Sequence, residues 1–170
     1  CGLGDVYKRQ PWYVVVNDIA VDDAGNRWFP NWDARDSTGI ICSPAQNDTS
    51  WVVFYQQDGI SVDYMQRMFV YEDHVYICTR NMGILDYKHN WTLNDKKDDQ
   101  VTLYTSKDHH LSDDWVWCVN VDKDGTLWAG TSKGLDRFDP DFERFRAVLL
   151  PDPLGLQVND ITVDERNNKW

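Results

Sequence analysis

The side chains best suited to chemistry in this 170-residue chain are four histidines, His74, His89 and the adjacent pair His109-His110. A histidine works as a general base or metal ligand only beside a partner, usually a carboxylate or a second histidine. His74 stands at a turn and His89 beside a polar insertion, and neither has a paired carboxylate at catalytic spacing. His109-His110 falls in a connecting segment, where either ligand contact or an ordinary solvated loop accounts for it. Asp95, Asp98 and Asp99 offer oxygens to Ca²⁺, but they lack the central glycine and distal bidentate glutamate of an EF-hand loop. Lys96 and Lys97 interleave with them and disfavour a cation. Asp122 and Asp124 read as turn formers rather than as an acid–base pair. No catalytic residue, metal or cofactor is expected.

Aromatic side chains are the better binding candidates. Trp32 with Arg35, and Trp115 beside the histidine pair, would stack on sugar faces while polar neighbours bind hydroxyls. The competing reading is that these tryptophans pack inside the fold, as Trp28 and Trp128 are expected to do. The candidate ligand-binding set is therefore Trp32, Arg35, His109, His110 and Trp115.

A net charge of −11 argues against nucleic acid and anionic membrane surfaces, since both reward Lys and Arg. No apolar run approaches the ~18 residues of a membrane helix, so no membrane insertion is expected in this segment. Setting Cys1 aside leaves Cys42, Cys78 and Cys118, an odd number without CxxC spacing. Cys78 and Cys118 lie in apolar, strand-like runs, where a free cysteine acts as a small hydrophobe. A disulfide and the redox compartment both stay open.

The elements that must position these residues come from a repeat. Val16-Asn-Asp-Ile-Ala-Val-Asp-Asp-Ala-Gly-Asn-Arg-Trp28 returns as Val116-Trp-Cys-Val-Asn-Val-Asp-Lys-Asp-Gly-Thr-Leu-Trp128 and as Val158-Asn-Asp-Ile-Thr-Val-Asp-Glu-Arg-Asn-Asn-Lys-Trp170. Each copy has apolar residues three and five after the Val, then Asp, then Trp six later. Trp28 to Trp128 is 100 residues and Trp128 to Trp170 is 42, so a diverged copy is expected between the first two. Met68 to Tyr76 fits, with Tyr76 in the Trp place. The period matches the ~40–50 residues of a propeller blade.

Within a copy, Val119-Asn-Val121 alternates like a strand with two unlike faces. Asp122 to Gly125 is turn chemistry, and Thr126 to Ala129 returns with Trp128 against a neighbouring unit. Gly130 permits close approach, and Gly134 opens a third strand to Asp139. Pro140-Asp141 turns into a fourth strand, Phe142 to Leu149. In the first unit Gly39–Ser43 and Trp51–Tyr55 are the third and fourth strands. In the second unit they are Leu85–Tyr87 and Val101–Thr105. Helical periodicity is absent, and a β-sandwich would not repeat one phrase at this interval. The predicted fold is all-β: a partial β-propeller of three four-stranded antiparallel blades (about 12–55, 60–107 and 111–150) and the first hairpin of a fourth at 154–170. Three or four blades do not close a ring, so further blades of the same chain are expected as partners.

Val116 to Pro140, above all Asp124-Gly-Thr-Leu-Trp-Ala-Gly-Thr-Ser-Lys-Gly-Leu-Asp-Arg-Phe-Asp139, resembles the two-component regulator propeller repeat. That repeat is typical of extracytoplasmic sensor regions of hybrid histidine kinases and of PorZ-like surface proteins associated with type IX secretion. The resemblance implies a non-catalytic propeller in the periplasm or at the cell surface, engaging protein partners or a glycan. The insertions at Trp32–Thr38 and Asn90–Asp99 look more like the secretion-associated proteins. No ligand residues carry over, because the shared positions are structural. Asp124-Gly-x-x-Trp128 partly resembles a sialidase Asp-box but lacks the leading Ser, and the arginines are too scattered for that active site. A streptogramin-lyase-like site would need a histidine pair on one face, and adjacent histidines on a strand point apart.

Residues 1–10 break from the repeat, and Asp5-Val-Tyr-Lys-Arg-Gln10 resembles a translated sequencing adaptor, an ordinary polar N-terminal tail being the lesser alternative. They are expected to form no blade strand, with the natural N-terminus and any targeting signal upstream.

Overall fold

The computed structural model describes residues 15–32, 38–46, 50–60, 64–151 and 156–170; the expectation for residues 1–10 falls outside them. Among the described residues twelve strands make three antiparallel sheets of four, each in sequence order. The first sheet is β1 (Ala20–Val21), β2 (Arg27–Pro30), β3 (Thr38–Ser43) and β4 (Val52–Tyr55). The second is β5 (Met65–Tyr71), β6 (His74–Thr79), β7 (Ile84–Lys88) and β8 (Gln100–Tyr104). The third is β9 (Val116–Val121), β10 (Leu127–Thr131), β11 (Gly134–Asp139) and β12 (Arg144–Val148). Val163 bridges Lys169, and Thr162 and Trp170 exchange backbone hydrogen bonds, so the last copy of the repeat also turns back on itself.

The repeated phrase sets the register. Trp28, Tyr76 and Trp128 stand at one place on β2, β6 and β10, opposite Ala20, Phe69 and Asn120 of the preceding strands. The Asp six residues before each Trp locks the turn. Asp22, Asp122 and Asp164 each accept the indole Nε1–H, at 2.9, 2.9 and 3.0 Å, and the amide four residues on. The central turn closes through Gly125 at φ 78°, a conformation that favours glycine. The second sheet lacks this lock; instead His74 stacks on Tyr76 at 5.5 Å and pairs with Asp86 at 2.8 Å.

Two apolar layers lie between the sheets. Trp28, Ile40 and Phe54 of the first meet Met65, Val75 and Tyr87 of the second. Tyr76, Cys78 and Ile84 of the second meet Val116, Val119 and Phe145 of the third. Cys42, Cys78 and Cys118 are buried free thiols, and burial raises Cys42 and Cys118 to about 12, so both stay protonated and unreactive. Gly130 is where the third sheet meets the last repeat: a Cβ there would lie 2.5 Å from Cys118 Sγ and 2.7 Å from the Val158 carbonyl.

Two expectations shift. A one-turn helix, α1 (Ser106–His109), replaces the expected loop, because Thr105 accepts the Asp108 amide and caps it. The fourth strand of the third sheet starts at Arg144 rather than Phe142, because the turn runs through Glu143 at φ 49°.

Asp122 makes stability depend on acid. It is buried, and Lys169 Nζ reaches its Oδ2 at 2.7 Å. Burial alone would raise its carboxyl, but hydrogen bonds from Lys169, Trp128 and the Thr126 and Asp124 amides outweigh this and hold it at about 2. A depressed carboxyl contributes stability that is fully present above its unfolded value, near 4, and is lost as pH falls towards 2. Urea melts from pH 5 to pH 2 should show on the order of 2 kcal/mol of loss attributable to this group. Asp122→Asn should flatten that slope; an unchanged slope would exclude the lock.

Candidate ligand-binding groove

One end of each sheet is built alike. Opposite β10, Val116 faces Thr131 and Cys118 faces Gly130, so Trp117 is an unpaired bulge residue. In the second sheet Met65 faces Thr79 and Arg67 faces Cys78, which leaves Gln66 in the same position. In the first, Val16 bridges Asn31 and Asn17 follows it. A backbone bond then ties each second strand to the residue before the bridge: Trp32 to Val15 at 2.9 Å, Arg80 to Tyr64 at 3.2 Å and Ser132 to Trp115 at 3.0 Å. The donors Trp32, Arg80 and Ser132 lie four residues after Trp28, Tyr76 and Trp128. The repeat thus places a set of non-repeating side chains along one edge.

They line a groove of about 460 Å³ formed by Asn17, Trp32, Gln66, Arg67, Arg80, Trp115 and Trp117. Trp115 stacks on Trp117 at 5.1 Å and 23°, and the Arg80 guanidinium lies 4.7 Å above the Trp115 ring. Trp117 Nε1 donates to Ser132 Oγ at 3.2 Å. Trp32 meets Tyr64 edge-on at 5.4 Å. Arg67 reaches Asp160 Oδ1 at 3.2 Å and the Asn159 carbonyl at 3.3 Å in the last repeat. Paired aromatic faces with a few polar groups, in a concavity of this volume, are what a small-molecule or saccharide subsite offers.

The structure brings together two of the five candidate ligand residues, Trp32 and Trp115. Arg35 lies outside the described residues. His109 packs edge-on to Tyr104 at 5.1 Å, and Tyr104 in turn contacts Phe138 and Phe145 of the outer strands. His110 is exposed at the end of α1 with φ 58°. Neither histidine lines the groove. Gln66, Arg80 and Trp117 are not in the sequence-derived set, although their offsets from the repeat were readable. His89 is buried against Trp28 at 5.2 Å and Trp91 at 6.0 Å, and burial lowers its pKa and keeps it neutral. Among the described residues no cluster of metal-ligating side chains occurs, and no helix is long and apolar enough to cross a membrane.

No family model matches the chain, and no curated protein matches it. Among solved structures it is similar to PorZ, a surface component of the type-IX secretion system of Porphyromonas gingivalis. The TM-score is 0.69 at 20% identity, over 91% of this chain and 24% of that one. It is also similar to the extracellular domain of a Bacteroides thetaiotaomicron protein assigned to the hybrid two-component systems. There the TM-score is 0.66 at 15% identity, over 96% of this chain and 22% of that one. The chain is part of a β-propeller. Each sheet is one blade, and the groove lies at the blade ends where first strands begin. The same fold appears in a catalytically inactive virginiamycin B lyase from Staphylococcus aureus crystallised with quinupristin, with TM-score 0.68 and 17% identity, over 93% of this chain and 48% of that one. Propellers similar to this one therefore include an enzyme as well as surface proteins.

Proposed function

We propose that this chain is the binding part of a bacterial cell-envelope propeller, located in the periplasm or at the cell surface, which engages a glycan through the blade-end groove without transforming it. The observation that carries this reading is the convergence of Trp32, Trp115 and Trp117 with two arginines in one open concavity. No acid–base pair accompanies them among the described residues, where the lining contains no carboxylate and no histidine. The resemblance of the repeat and the likeness to PorZ support a scaffolding context that includes protein partners. The likeness to a two-component extracellular domain, over 96% of this chain, favours a second reading as the ligand-sensing region of a hybrid histidine kinase. A kinase or a secretion-sorting domain elsewhere in the full gene discriminates the two.

Titration of the immobilised chain with bacterial surface polysaccharides, read by tryptophan fluorescence, tests the binding. At least one should quench emission, and Trp117→Ala should weaken binding roughly five- to twelvefold, the range expected when a stacking aromatic worth about 1–1.5 kcal/mol is removed. Binding unchanged by Trp117→Ala would remove the groove from consideration.

A further inference from the structure

The charge of the groove runs against that of the molecule. The chain carries 28 acidic and 17 basic side chains, yet among the described residues the groove lining includes Arg67 and Arg80 and no Asp or Glu. The two arginines are not equivalent. Arg67 spends its Nη1 on Asp160 and the Asn159 carbonyl. Arg80 is exposed, rests over Trp115 and has no carboxylate partner among the described residues. Stacking over an indole holds a guanidinium in place without consuming its N–H donors. A restrained, unspent guanidinium fork in an otherwise acidic protein is suited to a planar carboxylate, which accepts two parallel hydrogen bonds.

We propose, resting on the glycan reading above, that the groove takes an acidic saccharide whose carboxylate pairs with Arg80. A carboxyl carried on C5 of a pyranose lies close to the ring plane. A sugar stacked on the Trp115–Trp117 pair therefore presents that group at its rim, and Arg80, resting on Trp115, is a cation of the same groove. The pair Trp115–Trp117, with Arg80 on one member, supplies this combination.

The test uses oligosaccharides of galacturonate, glucuronate and mannuronate, each beside its methyl ester, together with a sulfated neutral oligosaccharide, titrated onto the whole chain. At least one acid should bind tenfold or more tightly than its ester, and the preference should shrink as NaCl rises. Arg80→Gln should abolish the acid-over-ester preference, and Arg80→Lys should recover only part of it. Equal affinity for acid and ester in every pair overturns the proposal, as does a preference that survives Arg80→Gln. Stronger binding of the sulfated sugar also overturns it, in favour of a tetrahedral anion. Binding that is lost in Trp117→Ala but insensitive to Arg80→Gln would leave the glycan reading standing and this proposal refuted. If no saccharide binds in either form, the glycan reading fails first.

Discussion

Trp28→Ala should destabilise the chain by about 4–5 kcal/mol, the upper end of what removing a large aromatic from a core costs. Trp28 is fully buried, stacked on Phe54 at 5.7 Å and near Tyr87 and His89 at 6.4 and 5.2 Å. Those contacts join blade one to blade two, so the cavity would open in the seam between blades. The substitution also strips the buried Asp22 carboxylate of its indole donor, which adds a desolvation cost. A domain of this size has roughly 5–15 kcal/mol of total stability, so blade one should unfold under conditions where blades two and three persist. Urea denaturation followed by blade-specific proteolysis reads this out. Trp28→Phe, which keeps an apolar ring and loses only the Asp22 bond and part of the volume, should cost less than half as much. A loss below 2 kcal/mol for Trp28→Ala would mean that the seam repacks and that the repeated Trp is not its anchor.

The 19.9 kDa chain should self-associate in solution, with a light-scattering mass of at least twice that value at micromolar concentration. Its exposed apolar side chains include a group on blade one and a tryptophan of the last repeat. On blade one, Ile19 and Val21 are 59% and 61% exposed, with Val15 and Val16 beside them; in the last repeat, Trp170 is 77% exposed. Blades bury such faces against neighbours, and contiguous apolar surface left in water promotes association. The net charge of −11 opposes contact between copies, and the Debye length falls from about 10 Å at 0.1 M salt to about 3 Å at 1 M. Association should therefore strengthen as NaCl rises. Ile19→Lys combined with Val21→Glu should return the mass towards the monomer. A monomer with a cooperative melt at all salt concentrations would show that the exposed faces need no cover.

The strands were legible because their cause is local. Alternating apolar residues, the Asp-to-Trp offset and turn glycines act within a dozen residues, and each turn repeats the same hydrogen bonds. The diverged second blade was readable through spacing, and Tyr76 does stand opposite Phe69 as Trp128 stands opposite Asn120. The helix α1 was missed because a single turn leaves no periodicity; its signal is one cap, Thr105 to Asp108. Histidine is a reactive residue type, but its reactivity depends on neighbours that sequence does not show. His109 is occupied by Tyr104, and His89 is sealed among aromatic rings.

By itself the sequence determined the all-β repeat, the blade register and the Asp–Trp turn, since all three follow from contacts between residues near in the chain. Only the tertiary structure decided which rim residues meet. Trp32, Arg80 and Trp117 are separated by 48 and 37 residues, and they meet because consecutive blades stack side by side with the same strand ends aligned. A one-residue bulge in the first strands of the second and third blades then turns Gln66 and Trp117 towards that edge. Repetition makes the positions equivalent, but blade packing does not dictate which side chain stands at each, because rim side chains carry little of the packing that holds the blades together.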